Sequence, residues 1–214
     1  RRRLRDDVVV AEAAMSRLRH GLPVSDAEFD RLFPDWAQRL SVVHWTPVAV
    51  ARRAAELLAP DRERVLDIGS GVGKLCLVGA LTTLGVFYGI EQRQRCVDAA
   101  RAAATRAGST RAHFIHGNMV DLDWSGFDSF YLYNPFVEHL WGAPGLGPDG
   151  FERDATRYDA YVEVVIERLM DLRLGCRVVT YHGFGGELPS SFDRVAREDV
   201  GTDVLELWVK TSPW

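Results

Sequence analysis

From residue 64 onward the chain alternates short apolar runs with helical periods, and the first unit, VLDIGSGVGK at 65–74, sets three alternating glycines just after an acidic residue. The runs are RVLDI, VFYGIE, AHFIHG, SFYLYNP and CRVVTYHG, with helical stretches at 74–84, 93–106 and 154–172. Strand alternating with helix at this spacing builds a parallel sheet with helices on both faces. The end of the chain departs from the pattern. There FDRVARED and VLELWVK flank Val200-Gly201-Thr202-Asp203, which reads as an antiparallel hairpin on the sheet edge.

Upstream the pattern is helical. Residues 6–19 carry Val9, Val10, Ala13, Ala14 and Leu18 on one period, and Ser25 with Glu28 forms a capping box. The helix opened by that box has Phe29, Leu32, Phe33, Trp36 and Leu40 on one stripe, which reads as packing against the core; Pro34 inside it predicts a break or kink. In HWTP, Thr46 reads as an N-cap and Pro47 as the first residue of a helix running to Leu58. The chain thus divides into a helical cap, 1–45, and a core, 46–214.

Composition narrows the function classes. The 214 residues are 47% apolar and 26% charged, as in one globular domain, and the net charge of −4 gives no global attraction to nucleic acid or an anionic membrane. The basic run at 1–5 reads as a solvated, frayed end. Of 26 basic residues only Lys74 and Lys210 are lysines, an arginine usage associated with GC-rich bacterial genomes. No apolar run is long enough to span a bilayer, and charges stand where a secretory signal would be apolar, so the expected location is cytoplasmic. Cys76, Cys96 and Cys176 lie far apart in apolar surroundings, as reduced core thiols do. His113 and His116, three apart on a strand, face opposite ways, and the histidines show no metal spacing; no metal is expected.

In an open parallel sheet the first strand-to-helix turn belongs to the ligand site, so the chemistry of 65–74 decides the ligand. A phosphate-binding loop ending at Gly73-Lys74 would need glycine where Ile68 stands and a hydroxyl where Leu75 stands. The dinucleotide fingerprint begun at Gly69 would need glycine at Lys74. Both fail. An acid at the strand end followed by Gly69, Gly71 and Gly73 suits a ligand with an amino acid end and no phosphate, such as S-adenosyl-L-methionine. Asp67 can orient its ammonium, glycines admit close backbone approach, and Glu91, at the end of the second strand, can accept from both ribose hydroxyls.

On DIGSGVG, YGIE, the GNM after the third strand, the NPF after the fourth and Thr46 in the pre-core helix, the chain resembles the class I S-adenosylmethionine-dependent methyltransferases. Within that class it looks most like the non-SET lysine methyltransferase type, whose known members act on histones. The resemblance spans roughly 45–210. It implies a Rossmann-like, seven-stranded, mostly parallel α/β sheet with an antiparallel C-terminal hairpin, helices on both faces and a small N-terminal helical cap. By that resemblance Thr46 contacts the methionine moiety, Asp67, Gly69 and Gly71 hold the amino acid end, and Glu91 holds the ribose. Asn118 falls where the family has an aspartate against the adenine amine, and Met119 where an aromatic residue flanks the ring. Two departures weaken adenine binding: Asn118 is neutral, and Gln92 replaces an apolar residue on the adenine face. The histone-binding extras of that type are missing from the sequence, which argues against a nucleosome substrate.

The fourth strand ends in YLYNPF, where the methyl group should emerge. Asn134 can accept from a nucleophilic amine; Phe136 can wall the channel, receive a cation, or serve as core. This resembles the N/D-P-P-Y motif of amino-group methyltransferases with one proline missing. Tyr131 and Tyr133 read as core residues. Glu138, His139 and His182 can bind or deprotonate an acceptor, or stand solvated; WGAPGLGPDG, within 137–150, reads as a mobile loop over the acceptor or as an insertion. Three readings stay open: methyl transfer to an amino nitrogen of a protein or small molecule, transfer to oxygen or carbon, and a cofactor-binding subunit without turnover. Nothing points clearly to nucleic acid or a membrane, and the acceptor itself is unknown from the sequence.

Overall fold

The computed structural model describes residues 2–136, 139 and 155–213. Apart from His139, the 137–150 loop lies outside the described residues, with Glu138 and Trp141. Seven strands form one sheet in the order β3-β2-β1-β4-β5-β7-β6. They are β1 (Arg64–Ile68), β2 (Val86–Glu91), β3 (Ala112–His116), β4 (Ser129–Tyr133), β5 (Arg177–Tyr181), β6 (Phe192–Val200) and β7 (Asp203–Lys210). The first five are parallel, and β7 joins β5 antiparallel with β6 outside it. Strand order reverses between β1 and β4, the point where such sheets open a crevice at the strands' carboxyl ends.

The two-residue period of β1 and β4 divides the core. Val65 and Tyr131 face one side, where they pack with α4 (Val48–Leu58), α5 (Lys74–Thr82) and α6 (Gln94–Ala107). Leu66, Ile68, Phe130 and Leu132 face the other, against Val162, Val165 and Leu169 of α7 (Ala155–Asp171). A strand covered on both faces needs apolar residues at consecutive positions, which explains the unbroken runs in the sequence.

Before α4 come α1 (Arg2–Arg19), α2 (Asp26–Phe29), a 3-10 turn (Asp30–Leu32) and α3 (Asp35–His44). The Ser25–Glu28 capping box is present, and the break expected at Pro34 falls there, with Pro34 as the extended residue before α3. Phe29, Leu32 and Phe33 are buried in the same cluster as α5 and α6. The helix expected from Pro47 starts one residue later: Pro47 is the N-cap and Thr46 caps nothing, its hydroxyl lying 3.1 Å from that of Tyr131. The proline side chain at the N-cap has no acceptor to offer, and α4 is capped from elsewhere, by Asp26 Oδ1, which accepts from Val48 N–H at 2.9 Å.

Lys74, which reads as no more than a first helical turn, ties the cap to the core. Its side chain is 2% exposed, and Nζ lies 2.5 Å from Asp26 Oδ1, 2.8 Å from Asp30 Oδ1 and 2.9 Å from Ser41 Oγ. A buried cation at a helix N-terminus opposes the helix dipole and needs these oxygens. Burial in turn pushes the Asp30 carboxyl above its ordinary range, against the pull of Lys74. Removing one partner strands the other charge. Lys74→Ala is therefore expected to lower stability by about 3–5 kcal/mol, read by urea unfolding, and to make 1–45 the first segment cut in limited proteolysis.

Candidate functional site

The crevice at the switch point is a cavity of about 200 Å³. The turn after β1 contributes Gly69 and Gly71, the end of β2 contributes Glu91, Gln92 and Arg93, and the turn after β3 contributes Gly117 and Met119. The exit of β4 adds Tyr133, Asn134, Pro135 and Phe136, that of β5 adds His182, and the end of the cap adds His44 and Trp45. A smaller adjoining cavity shares Gly69, His44, Trp45 and Tyr133 with it and is lined by Thr46, Asp67, Ser70 and Lys74 as well.

Close approach explains the glycines. Both Gly69 and Gly71 have positive φ, 73° and 54°. A Cβ at Gly69 would stand 3.0 Å from Pro135 Cβ, and one at Gly71 would stand 2.4 Å from the Trp45 ring. The turn is thus pressed between the β4 exit and the cap, and no local motif signals the contact with Trp45. Trp45 is held there by a bond from Nε1 to the Ala37 carbonyl at 3.1 Å.

Asp67, at 5% exposure, faces the smaller cavity with the Cys76 thiol 3.6 Å from Oδ2. Burial, with a lesser contribution from the nearby Glu91 charge, pushes its carboxyl up to about 7. Glu91 is differently supported: Oε2 accepts from Gly71 N–H at 3.0 Å and Oε1 from Arg93 N–H at 2.9 Å, so the carboxylate is held at the cavity wall. The Ser70 hydroxyl is buried and has no hydrogen-bond partner among the described residues.

The remaining sequence candidates separate. Thr46 lies on the smaller cavity and Met119, 3% exposed, on the larger. Asn118 lines neither cavity: its Oδ1 accepts from Val120 N–H at 3.2 Å and its Nδ2 donates to the Tyr161 hydroxyl at 3.0 Å. Asn134 lines the larger cavity with φ of 38°, its N–H bonded to the Gly183 carbonyl at 2.8 Å. Phe136 is both wall and core, 4% exposed with its ring 5.3 Å from that of Tyr161. Tyr133 is a correction: it is half-buried and lines both cavities, while Tyr131 is buried in the core as expected and also borders the smaller cavity. Residues passed over in the sequence, Trp45 and His44, carry no local motif; they reach the site only through the packing of the cap. Among the described residues no group of three metal-ligating side chains exists.

Residues 60–137 match the family model of a methyltransferase domain. The chain carries a methyltransferase domain, and its cofactor is S-adenosyl-L-methionine. The methyltransferase matches none of the curated proteins compared with it by sequence. Its fold is shared with an RNA methyltransferase from Salinibacter ruber in complex with S-adenosyl-L-homocysteine (24% identity, TM-score 0.54, covering 77% of this chain and 92% of that one). It is shared also with TrmN from Thermus thermophilus (20% identity, TM-score 0.57, covering 82% of this chain and 52% of that one). The chain spans about half of TrmN's length. Both likenesses are of fold.

The donor set fits the cofactor. A desolvated carboxylate is stabilised by a ligand ammonium, and the turn at Gly69 and Gly71 lines the cavity with a second carboxylate, Glu91, on the same wall. Without ligand, Asp67 loosens the fold as pH rises. Its folded-state value of about 7 lies above the usual carboxylate range, so its stabilising contribution is full below about pH 4 and is lost as pH rises through about 7. Thermal melts of the ligand-free methyltransferase against its Asp67→Asn variant should show the variant gaining relative stability between pH 4 and 7, by on the order of a few kcal/mol.

Proposed function

We propose that the chain moves a methyl group from S-adenosyl-L-methionine to an amino nitrogen of a protein or small molecule. The observation that carries the reading is Asn134, held at φ 38° on the same cavity that Asp67 and Glu91 adjoin. The cofactor supplies a methyl group already activated on a sulfonium. What the protein must add is alignment, desolvation and a path for protons.

Each residue then has a task. Asp67 pairs with the ammonium, Gly69 and Gly71 admit the amino acid end, Thr46 lies beside the methionine portion, and Glu91 accepts from the ribose hydroxyls. Met119 packs on the adenine. Asn118 holds the turn that presents Met119, its Oδ1 accepting from Val120 N–H. At the acceptor end the Asn134 side-chain carbonyl accepts from the incoming amine and turns its lone pair toward the methyl. Phe136 and Tyr133 wall the passage with apolar surface, and a cation over such a ring gains about 0.5–2 kcal/mol.

The likeness to the non-SET lysine methyltransferase branch, carried by Thr46, GNM and NPF, extends this reading to a lysine-type amine. The Salinibacter ruber neighbour is an RNA methyltransferase, so base amines belong in the same screen. The net charge of −4 supports a protein or small-molecule acceptor over RNA.

Labelled cofactor incubated with protein, RNA and small-amine fractions identifies the acceptor class. Transfer confined to hydroxyl or carbon acceptors would overturn the amine reading. In calorimetry, S-adenosyl-L-homocysteine should bind and NAD should not. Glu91→Ala should weaken binding about 10- to 100-fold by removing a charged acceptor, whereas Asn134→Ala should keep binding and lose transfer. Affinity should also rise about tenfold per pH unit below about 7 and level off above it, because Asp67 must shed its proton to meet the ammonium. Asp67→Asn should flatten that profile.

A further inference from the structure

We propose that His182, aligned by Asp203, receives the proton that the methyl acceptor gives up. This rests on reading the cavity as a methyl-transfer site. It starts from a chemical requirement. An alkyl amine has an ordinary pKa near 10, so near neutral pH it arrives as an ammonium whose electron pair is occupied. A proton must leave before the nitrogen can attack, and the cavity needs a group to take it.

The hairpin tip builds that group. Tyr181 ends β5, and its hydroxyl donates to the Val200 carbonyl at 3.1 Å and accepts from Thr202 N–H at 3.2 Å. A Cβ at Gly201 would stand 2.9 Å from the same hydroxyl, so the tip seats on Tyr181 only with glycine there. Seated, it carries Asp203 to the next residue of the β5 exit. Asp203 Oδ2 lies against Nδ1 of His182, and its Oδ1 accepts from Val204 N–H at 2.6 Å. With Nδ1–H donating to the carboxylate, Nε2 is the accepting nitrogen of the ring.

His182 lines the cavity beside Asn134, and the two exits are tied by the bond from Asn134 N–H to the Gly183 carbonyl. Its φ is 57°, a left-handed conformation that a histidine adopts only at a cost and that is retained here at the cavity wall. The Tyr133 ring stacks on the imidazole at 5.4 Å, and the Tyr181 ring meets it edge-on at 4.6 Å. Burial pushes the Tyr133 phenol up, so it stays protonated beside the histidine. The other titratable groups on this cavity are His44 from α3, His139 beyond β4, and Glu91 with Arg93 beyond β2. Glu91 already accepts from Gly71 and Arg93.

The step balances. An acceptor ammonium loses one N–H proton to Nε2 and regains its electron pair. That pair forms the nitrogen–carbon bond while the carbon–sulfur bond breaks with its electrons left on sulfur. The imidazolium is matched by Asp203, and since the His182 side chain is 33% exposed, it returns the proton to water.

The test uses the full chain and a small primary amine as probe. His182→Gly suits the backbone and deletes the ring; it should lower turnover about 100- to 1,000-fold, leave S-adenosyl-L-homocysteine binding unchanged, and be partly rescued by added imidazole. Asp203→Asn should lower turnover less, and the rise of rate with pH should vanish in His182→Gly. A readout apart from activity is nitrogen NMR of the histidine rings: His182 should show the Nδ1–H tautomer in the wild type and a mixture in Asp203→Asn. Turnover of His182→Gly within about threefold of the wild type overturns the proposal, as does an Nε2–H tautomer. So does finding the pH limb abolished in His44→Gln or His139→Gln instead. If the wild type methylates a hydroxyl probe and no amine, the amine reading falls, while an equal loss in His182→Gly on that probe upholds the proton acceptor.

Discussion

Three parts of the chain close on the turn after β1 at points where only hydrogen fits. Pro135 of the β4 exit meets Gly69, Trp45 of the cap meets Gly71, and Phe114 of β3 would stand 2.2 Å from a Cβ at Gly73. Methyl groups at these positions would push apart the walls of the cavity as well as strain the turn. The glycines thus serve the assembly of the cavity walls. The rest of the site follows from that closure, because it sets the distance between the cap, the β2 carboxylate and the β4 exit.

Charge is handled differently on the two sides of this turn. Toward the cap, Lys74 is buried with Asp26 and Asp30 beside it, a matched cluster that holds helices together. Toward the ligand, Asp67 has a thiol as neighbour and a second carboxylate nearby, and its carboxyl is displaced to about 7. A matched cluster resists opening, whereas an unmatched acid gains most when a cation arrives. The fold therefore engages the buried Lys74 at the cap rather than with the strand-end acid.

The parallel core was legible because a strand buried on both faces writes itself as a continuous apolar run and its turn chemistry is local. The hairpin and the Pro34 break were legible for the same reason. Thr46 and Lys74 were misread because their partners, Tyr131, Asp26 and Asp30, lie far along the chain and local capping rules see only neighbours. At the site, Asp67, Gly69, Gly71 and Glu91 stood out by spacing. Trp45, His44 and the His182–Asp203 pair did not, since each depends on how one element is seated against another. Asn118 shows the opposite limit: its position matched a motif, while its amide is engaged with Val120 and Tyr161.

The antiparallel hairpin is more than an edge. Because β7 runs against β5, its first residue falls beside the end of β5, at the same rim where β1, β2 and β4 deliver their site residues. A parallel strand in that position would bring its carboxyl end to the rim and its first residue to the far side of the sheet. The reversal of one strand is what puts Asp203 within reach of His182, and the two-residue turn at Gly201-Thr202 fixes it there through Tyr181. Backbone cost is concentrated at that rim: among the described residues, Asn134 and His182 are the non-glycine residues with positive φ, at the exits of adjacent strands. Each of the two strained positions is backed, Asn134 by its bond to the Gly183 carbonyl and His182 by Asp203, so the surrounding structure holds both against their backbone cost.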